Sequence, residues 1–202
     1  MAFPDCRLYL LFTPSLCRLD PWRTLTHALE SGVDLVQWRS KRDDPGGFAR
    51  CRDLCLRAGV PLLVNDDVML AVRSRAAGAH VGQDDIPADA ARKLLGAGLL
   101  GVSTHDPAQI AAAVAAGTDY VGFGPCHPTT TKDYAQGKTQ AEVEAGVAAA
   151  AAARVPLFAI GGITAQNLPA LRAMGVDRIA VSSAILQHED PAAAVTGLRR
   201  WL

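Results

Sequence analysis

The chain has 202 residues with 20 basic and 20 acidic side chains, so its formal net charge is zero. Half of the residues are hydrophobic, which suffices for a sizeable core and predicts one domain over residues 1–202. The balanced charge argues against nucleic acid or an anionic membrane as a partner. Composition leaves assembly into a homo-oligomer open.

The cysteine count predicts the compartment. Five cysteines, an odd number, make a disulfide framework unfavourable and indicate a reducing cytoplasm. The apolar segment 8–12 is too short to span a bilayer and lacks the flanking features of a secretory signal. We therefore expect a cytoplasmic protein whose thiols are mostly buried and inert.

Short apolar segments alternate with alanine-rich helical patterns along the chain. Strands are predicted near 7–13, 34–39, 61–65, 79–82, 99–103, 119–123, 156–161 and 178–183. Helices are predicted near 22–31, 46–58, 67–76, 87–96, 107–116, 140–153, 165–174 and 190–201. Capping residues support three helix starts, at Asp106, Thr164 and Asp190. Glycines suited to a left-handed residue after a helix stand at 59, 78, 98, 117 and 175.

Eight strands alternating with eight helices predict an α/β fold, a single (β/α)8 TIM barrel. A doubly wound open sheet is the alternative, but no Gly-x-Gly-x-x-Gly motif follows the first strand. In a barrel of this kind, chemistry gathers at the carboxyl ends of the strands. The residues at those ends are therefore the candidates for a functional site.

The second strand ends in alternating polar residues. Gln37, Arg39 and Lys41 fall on one side of an extended chain. An amide and two cations at one place suit a polyphosphate, although a solvated basic loop explains the pattern equally well.

Two aspartates follow the third and fourth strands. Asp66 and Asp85 come from neighbouring strand ends, and a pair of carboxylates beside cations suits hydrated Mg²⁺. The alternative is capping, in which Asp84 or Asp85 only starts the next helix, as Asp67 is expected to do after the third strand. His80, before the end of the fourth strand, is more typical of a core histidine.

The fifth and sixth strands end in hydroxyl groups and a cation. Ser103 can donate to an anion or serve as a turn residue, and no partner for His105 is visible. The sequence GFGPCHPTTTK over 122–132 places Thr129, Thr131 and Lys132 just after a buried strand. Hydroxyls, backbone amides and a cation together suit an oxyanion such as phosphate.

The seventh and eighth strands end in small residues. Gly162 allows a ligand close to the backbone, and Ser182 and Ser183 follow the eighth strand. Loops after these two strands commonly bind a phosphate group in such barrels. A cationic, metal-bearing site beside an uncharged one predicts displacement of pyrophosphate by a second, phosphorylated substrate.

The motifs at these strand ends resemble the thiamine-phosphate synthase family along nearly the whole chain. They are QxRxK over 37–41, VNDD over 64–67, HVGQDD over 80–85, GVS over 101–103, GPxxPTxTK over 124–132, IGGI over 160–163 and SAI over 183–185. The family is a transferase of a pyrimidinylmethyl group. It joins 4-amino-5-hydroxymethyl-2-methylpyrimidine diphosphate to a thiazole phosphate, giving thiamine phosphate and pyrophosphate.

The resemblance implies roles for individual residues. The pyrimidine diphosphate is expected to be held by Gln37, Arg39, Lys41, Asn65, Ser103 and Lys132. Asp66 and Asp85 are expected to bind Mg²⁺. The thiazole phosphate is expected at Thr129, Thr131, Gly162, Ser182 and Ser183. Of these, Arg39, Lys41, Ser103 and Lys132 are the expected catalytic residues, because the three cations neutralise the departing pyrophosphate and Ser103 can donate a hydrogen bond to it.

Loss of pyrophosphate before attack by the thiazole nitrogen needs little general-base help, which agrees with the missing nucleophile–base pair. The sequence departs from the family between Pro125 and Pro128, where Cys126 and His127 replace an aliphatic and an aromatic residue. The alternatives are a thiazole tautomerase-like barrel and a catalytically idle barrel that binds the same phosphates. An isomerase or aldolase barrel would not need the second anion site.

Overall fold

The computed structural model describes residues 5–40, 42–128 and 136–202. Within these ranges, eight parallel strands form a closed barrel in chain order, with β1 paired to β8. The strands are β1 Leu8–Phe12, β2 Leu35–Trp38, β3 Leu62–Asn65, β4 Gly78–Val81, β5 Leu99–Thr104, β6 Tyr120–Phe123, β7 Leu157–Ile160 and β8 Ile179–Val181. The predicted (β/α)8 barrel is confirmed, and the open sheet is wrong.

Each predicted helix has a counterpart. The helices are α1 Pro21–Glu30, α2 Pro45–Ala58, α3 Val68–Ser74, α4 Ala88–Leu95, α5 Pro107–Ala115, α6 Gln140–Ala153, α7 Leu168–Ala173, α8 Ser183–Leu186 and α9 Pro191–Arg199. The sequence did not predict the four-residue α8 or a 3-10 helix, Pro14–Leu16. Among the described residues, no helix combines the length and apolar character needed to cross a membrane.

The helix ends follow the predicted capping chemistry with exceptions. The side chains of Asp106 and Asp190 accept hydrogen bonds from backbone N–H groups in the first turns of α5 and α9. The start predicted at Thr164 is too early, because Thr164 and Asn167 bond to each other in a turn and α7 begins after it.

The prediction of left-handed glycines after the helices is confirmed at some positions and wrong at others. Positive φ angles occur at 59, 117 and 175 but not at 78 or 98. Arg75 takes the left-handed position after α3 instead, with φ 54°. Gly78 begins β4, where a Cβ atom would lie 1.8 Å from the carbonyl oxygen of Leu99.

Two hydrophobic layers follow from the alternation of side chains along each strand. In β1, Leu8, Leu10 and Phe12 belong to the layer between strands and helices. Tyr9 and Leu11 belong to the smaller cluster inside the barrel. Phe158 lies there too, and its ring is 5.3 Å from that of Tyr9, centroid to centroid. Aromatic rings thus pack with aliphatic side chains such as Leu35 and Leu63 inside the barrel.

Partly buried carboxylates hold the amino ends of the strands. Asp34, just before β2, accepts hydrogen bonds from the backbone N–H groups of Arg7 and Leu8 at 2.8 and 2.9 Å. It also pairs with the guanidinium of Arg199, on the last helix. Asp119, just before β6, likewise accepts from Leu100 N and pairs with Arg92. These contacts tie distant segments together at the closed end of the barrel.

Candidate active site

A cleft opens at the carboxyl ends of the strands. The space within the cleft is roughly 690 Å³ when its open mouth is included. Its walls combine one cation, several hydroxyls and glycines with apolar side chains such as Leu11, Ile160 and Val181. Five of the predicted site residues line this cleft, namely Arg39, Ser103, Gly162, Ser182 and Ser183.

The second strand delivers its polar residues as the alternation predicts. The backbone N–H of Arg39 donates to the carbonyl of Phe12 at 2.9 Å, which fixes the start of the loop, and the residue lines the cleft. Gln37 is deeper, only 2% exposed, and its Nε2 donates to the hydroxyl of Tyr9 at 2.7 Å. The side chain of Gln37 therefore already has a hydrogen-bond partner inside the barrel, apart from any ligand that it contacts.

Ser103 reaches the cleft from β5 with its hydroxyl already engaged. Its Oγ lies 2.9 Å from Nε2 of His80, and Nδ1 of His80 lies 2.9 Å from the hydroxyl of Tyr120. His80 is 8% exposed, so its assignment as a hydrogen-bonded core histidine is confirmed. The alternative of Ser103 as a turn residue is wrong, because it lies within β5.

The third strand ends in three polar residues with different surroundings. Asn65 is the last residue of β3 and pairs in register with His80. Asp66 follows at φ 63°, a left-handed conformation, and its N–H donates to the carbonyl of His80 at 2.9 Å. Asp67 caps α3, as predicted, by accepting from Leu70 N at 2.7 Å.

Asp85 lies in the loop after β4. Its Oδ2 accepts from the N–H of Gly82 at 2.6 Å, which fixes the loop. It does not cap the following helix, since the N-cap of α4 is Pro87 with no side-chain hydrogen bond. Asp66 and Asp85 thus follow adjacent strands, as expected for a two-carboxylate Mg²⁺ site. Among the described residues, no cluster of three or more candidate metal ligands occurs.

Small residues after β7 and β8 form one wall of the cleft, which we call the glycine–serine wall: Gly161, Gly162, Ser182 and Ser183. Gly162 has φ 59°, and a Cβ atom there would lie 2.5 Å from the carbonyl oxygen of Pro128. The Oγ of Ser182 is buried and makes no hydrogen bond within the described part of the chain. Such an orphaned hydroxyl beside a cleft suits a ligand oxygen.

Four predicted residues, Lys41, Thr129, Thr131 and Lys132, lie outside the described residues. The chain leading to the last three can be followed to Pro128. His127 N donates to the carbonyl of Gly161 at 3.1 Å, so this loop runs beside the glycine–serine wall. The imidazole Nε2 of His127 is buried without a hydrogen-bond partner in the described ranges, and burial lowers the pKa of this side chain.

Cys126 is part of the core. It is 3% exposed, and its thiol donates to the carbonyl of Phe123 at 3.6 Å. Burial is the main reason that the pKa of this thiol rises to about 11. A thiol that stays protonated at neutral pH is a poor nucleophile, in line with the expected chemistry.

Sequence reasoning missed three polar contributors. His105 lines the cleft, and its Nδ1 donates to the carbonyl of Gly124 at 2.6 Å, so it has the partner that the sequence did not reveal. Tyr9 and Tyr120 bond to each other in the interior at 2.9 Å. A tyrosine inside an otherwise apolar strand was the available signal, because a buried phenol needs a hydrogen-bond partner.

The closed barrel and its cleft define a (β/α)8 protein with a small-molecule site at the carboxyl ends of its strands. A family model described as thiamine monophosphate synthase matches residues 8–185. The chain is 39% identical over 199 residues to a thiamine-phosphate synthase of Bacillus velezensis, covering 93% of this chain and 86% of that protein. The identity to the thiamine-phosphate synthase of Chloroflexus aurantiacus is 40%, with coverages of 96% and 92%.

Other relatives differ in length. A thiamine-phosphate synthase of Prochlorococcus marinus is 43% identical, but the match covers 94% of this chain and 55% of that protein. Among solved structures, thiamine phosphate pyrophosphorylase from Pyrococcus furiosus superposes with a TM-score of 0.85 at 26% identity, covering 97% of this chain and 95% of that one. The chain belongs to the thiamine monophosphate synthase family.

Proposed function

We propose that the protein is a thiamine-phosphate synthase, which transfers the pyrimidinylmethyl group of 4-amino-5-hydroxymethyl-2-methylpyrimidine diphosphate to the nitrogen of a thiazole phosphate. One observation carries the proposal beyond family membership. One cleft is lined both by a cation and a hydroxyl, from Arg39 and Ser103, and by the uncharged glycine–serine wall. Two phosphorylated substrates bound together need such a pair of surfaces.

The diphosphate is assigned to the cationic side. The guanidinium of Arg39 offers a planar set of donors for phosphate oxygens, and Ser103 adds a hydroxyl. Lys41 and Lys132 complete this set in the proposal. Gln37 and Asn65, on the two neighbouring strands, are assigned to the same substrate. The cations neutralise charge that develops on the departing pyrophosphate.

Mg²⁺ is the proposed cofactor, held by Asp66 and Asp85. Two carboxylates at adjacent strand ends fit an ion that takes its other ligands from water and phosphate. One oxygen of Asp85 is used by Gly82 N, which orients the carboxylate and leaves its other oxygen for the ion. When bound, the ion supplies positive charge beside the diphosphate oxygens.

The thiazole phosphate is assigned to the glycine–serine wall, with Thr129 and Thr131 from the loop beside it. In the proposed reaction, the bond between the pyrimidine methylene carbon and the diphosphate oxygen breaks. The thiazole nitrogen then donates its electron pair to that carbon. The side chains need not remove a proton, so their task is to hold the two substrates in line.

The proposed partners are small-molecule substrates. Nucleic acid is not an expected partner, because the formal net charge of the chain is zero. The described cysteines are all free thiols, which supports a reducing, cytoplasmic location.

The test is pyrophosphate release by the purified protein with Mg²⁺ and both substrates. We expect release only when both substrates are present, and strong loss in a Lys132→Ala variant. A control variant, Lys93→Ala, removes an exposed lysine that pairs with Asp89 on α4, and it should behave as wild type. A folded wild type that releases no pyrophosphate would overturn the proposal and favour a tautomerase-like or idle binding protein.

A further inference from the structure

A continuous chain of polar side chains crosses the inside of the barrel. Gln37 Nε2 lies 2.7 Å from the Tyr9 hydroxyl, which lies 2.9 Å from that of Tyr120. The Tyr120 hydroxyl lies 2.9 Å from Nδ1 of His80, and Nε2 of His80 lies 2.9 Å from Ser103 Oγ. Five strands contribute one residue each. We call this set the interior chain.

The middle of the interior chain is isolated from water. Tyr9 is 1% exposed and Tyr120 is fully buried. The fold also makes room for it, because a Cβ atom at Gly101 would lie 2.2 Å from the Tyr120 hydroxyl and 2.5 Å from His80 Nδ1. Buried polar groups are costly unless each finds a partner, and apolar residues can fill a barrel interior without that cost. The polar content of this interior therefore calls for a role beyond packing.

The distances in the interior chain are compatible with two directions of hydrogen-bond donation. Burial raises the pKa of Tyr9 and of Tyr120 well above the ordinary tyrosine value, so both hydroxyls keep their protons at neutral pH. In the first direction, the amide of Gln37 donates to Tyr9, Tyr9 donates to Tyr120, and Tyr120 donates to Nδ1 of His80. Nε2 of a neutral His80 would then carry the ring proton and donate to Ser103.

Donation in the opposite direction, from Ser103 toward Tyr9, leaves one hydroxyl of the interior chain without an acceptor. The Tyr9 oxygen would accept from both Gln37 and Tyr120, and its own proton would find no acceptor within the interior chain. Ser103 would donate its hydroxyl proton to His80 and would have none to donate to a ligand. In the first direction, the Ser103 oxygen accepts a hydrogen bond from His80. Its own O–H is then available to donate to a ligand, because Ser103 lines the cleft.

We propose that Tyr120 is a positioning residue that acts through His80 to make the Ser103 hydroxyl a hydrogen-bond donor toward the diphosphate group. This inference rests on the proposed function, since that function assigns the diphosphate to Ser103. Tyr120 does not touch the substrate in this account. It fixes the tautomer of His80, and His80 fixes the hydroxyl.

A double-mutant cycle with Tyr120→Phe and Ser103→Ala tests the coupling. Tyr120→Phe removes only the hydroxyl and keeps the ring. We expect it to weaken binding of Mg²⁺-pyrophosphate, measured by calorimetry, by about tenfold, and to lower kcat for pyrophosphate release by a similar factor. In the Ser103→Ala background the same change should cost less than about twofold, because the group it acts on is gone.

The control variant is Thr118→Val. The Thr118 hydroxyl lies 2.8 Å from the carbonyl oxygens of both Leu100 and Tyr120, at the amino end of β6, so its loss perturbs the backbone at Tyr120 without removing a side chain of the interior chain. We expect lower stability with unchanged pyrophosphate affinity. If Tyr120→Phe fails to fold, the tautomer of His80 in the wild type, read from its nitrogen shifts, still tests the inference.

The nitrogen shifts of His80 in the ¹⁵N-labelled protein give a readout that needs no turnover. We expect the proton on Nε2 in wild type and a mixture of tautomers in Tyr120→Phe. Losses that add independently in the cycle, a proton on Nδ1, or no binding of Mg²⁺-pyrophosphate would each overturn the inference. A wild type that shows the coupling and the tautomer but no turnover would instead contradict the proposed function alone.

Discussion

Aspartates flank the strands at both ends of the barrel, and their surroundings differ. At the amino ends, Asp34 accepts from two backbone N–H groups and pairs with Arg199, and Asp119 is similarly engaged. At the carboxyl ends, Asp66 and Asp85 stand in the loops after β3 and β4, where the proposed function assigns them to Mg²⁺. In this account, aspartates at the amino ends stabilise the fold and those at the carboxyl ends serve the chemistry.

The largest expected effect is on activity at the carboxyl end. Asp66→Asn should lower kcat/KM for pyrophosphate release by about 100-fold or more, because a charge beside the diphosphate is lost. Asparagine tolerates the left-handed backbone at φ 63°, so the melting temperature should change little.

The matched control is the neighbouring aspartate. Asp67→Asn removes the same charge, and asparagine caps a helix as well as aspartate does. Steady-state kinetics should show wild-type activity for it. Equal losses in the two variants would mean that overall charge, rather than a specific site, matters at this end.

The second effect is on stability at the amino end. Asp34→Ala should lower the free energy of unfolding by about 3 kcal/mol, since it strands two backbone donors and a guanidinium. Urea unfolding measures the loss, and kcat per folded molecule should be unchanged.

Asp53→Ala provides the reference for that measurement. Its carboxylate is exposed beside Arg52, so the change should be below about 0.5 kcal/mol. A comparable loss in both variants, or reduced kcat in Asp34→Ala, would contradict the division between the two ends.

A smaller effect is expected within the cleft. Gly162→Ala should raise KM for the thiazole phosphate about tenfold, because the new Cβ atom would lie 2.5 Å from Pro128 O and 2.8 Å from His127 Cβ. Gly59→Ala is the control, since its φ of 68° is equally left-handed but nothing lies within 4 Å of the new atom. It should cost about 1 kcal/mol of stability with unchanged KM.

The smallest effect concerns a residue at the carboxyl end that the account leaves out of the chemistry. Cys126→Ala should change kcat by less than about threefold. Burial raises the pKa of the thiol to about 11, so its alkylation by iodoacetamide should be slow at pH 8 and rise toward pH 11. Rapid inactivation by the reagent at neutral pH would show a thiolate that this structure does not predict.

Local signals predicted the elements well. Strand bounds agree within two residues, because short apolar segments between caps are unambiguous once the alternating order is seen. The start of α7 was wrong, since Thr164 and Asn167 form a turn that resembles a cap in sequence. The prediction of a left-handed residue at Gly78 was wrong, because glycine is required there by the close approach of Leu99.

The site also has a part that the sequence predicts and a part that only the fold reveals. Strand-end residues such as Arg39 and Ser103 could be found from sequence, because a barrel brings all carboxyl ends together. The interior chain could not. Tyr9 and Tyr120 are 111 positions apart, and only the closed barrel brings their hydroxyls to 2.9 Å. The bond from Asp85 to Gly82 likewise depends on the path of one loop.

The most direct test of the account is the stoichiometry of the two products. The purified protein would be given Mg²⁺ and both substrates, and thiamine phosphate and pyrophosphate would be quantified over time by chromatography with mass detection. The account predicts that both appear together in equal amounts and that neither forms when one substrate is omitted. Pyrophosphate without thiamine phosphate would indicate simple hydrolysis, and would contradict the claim that the cleft holds both substrates for bond formation.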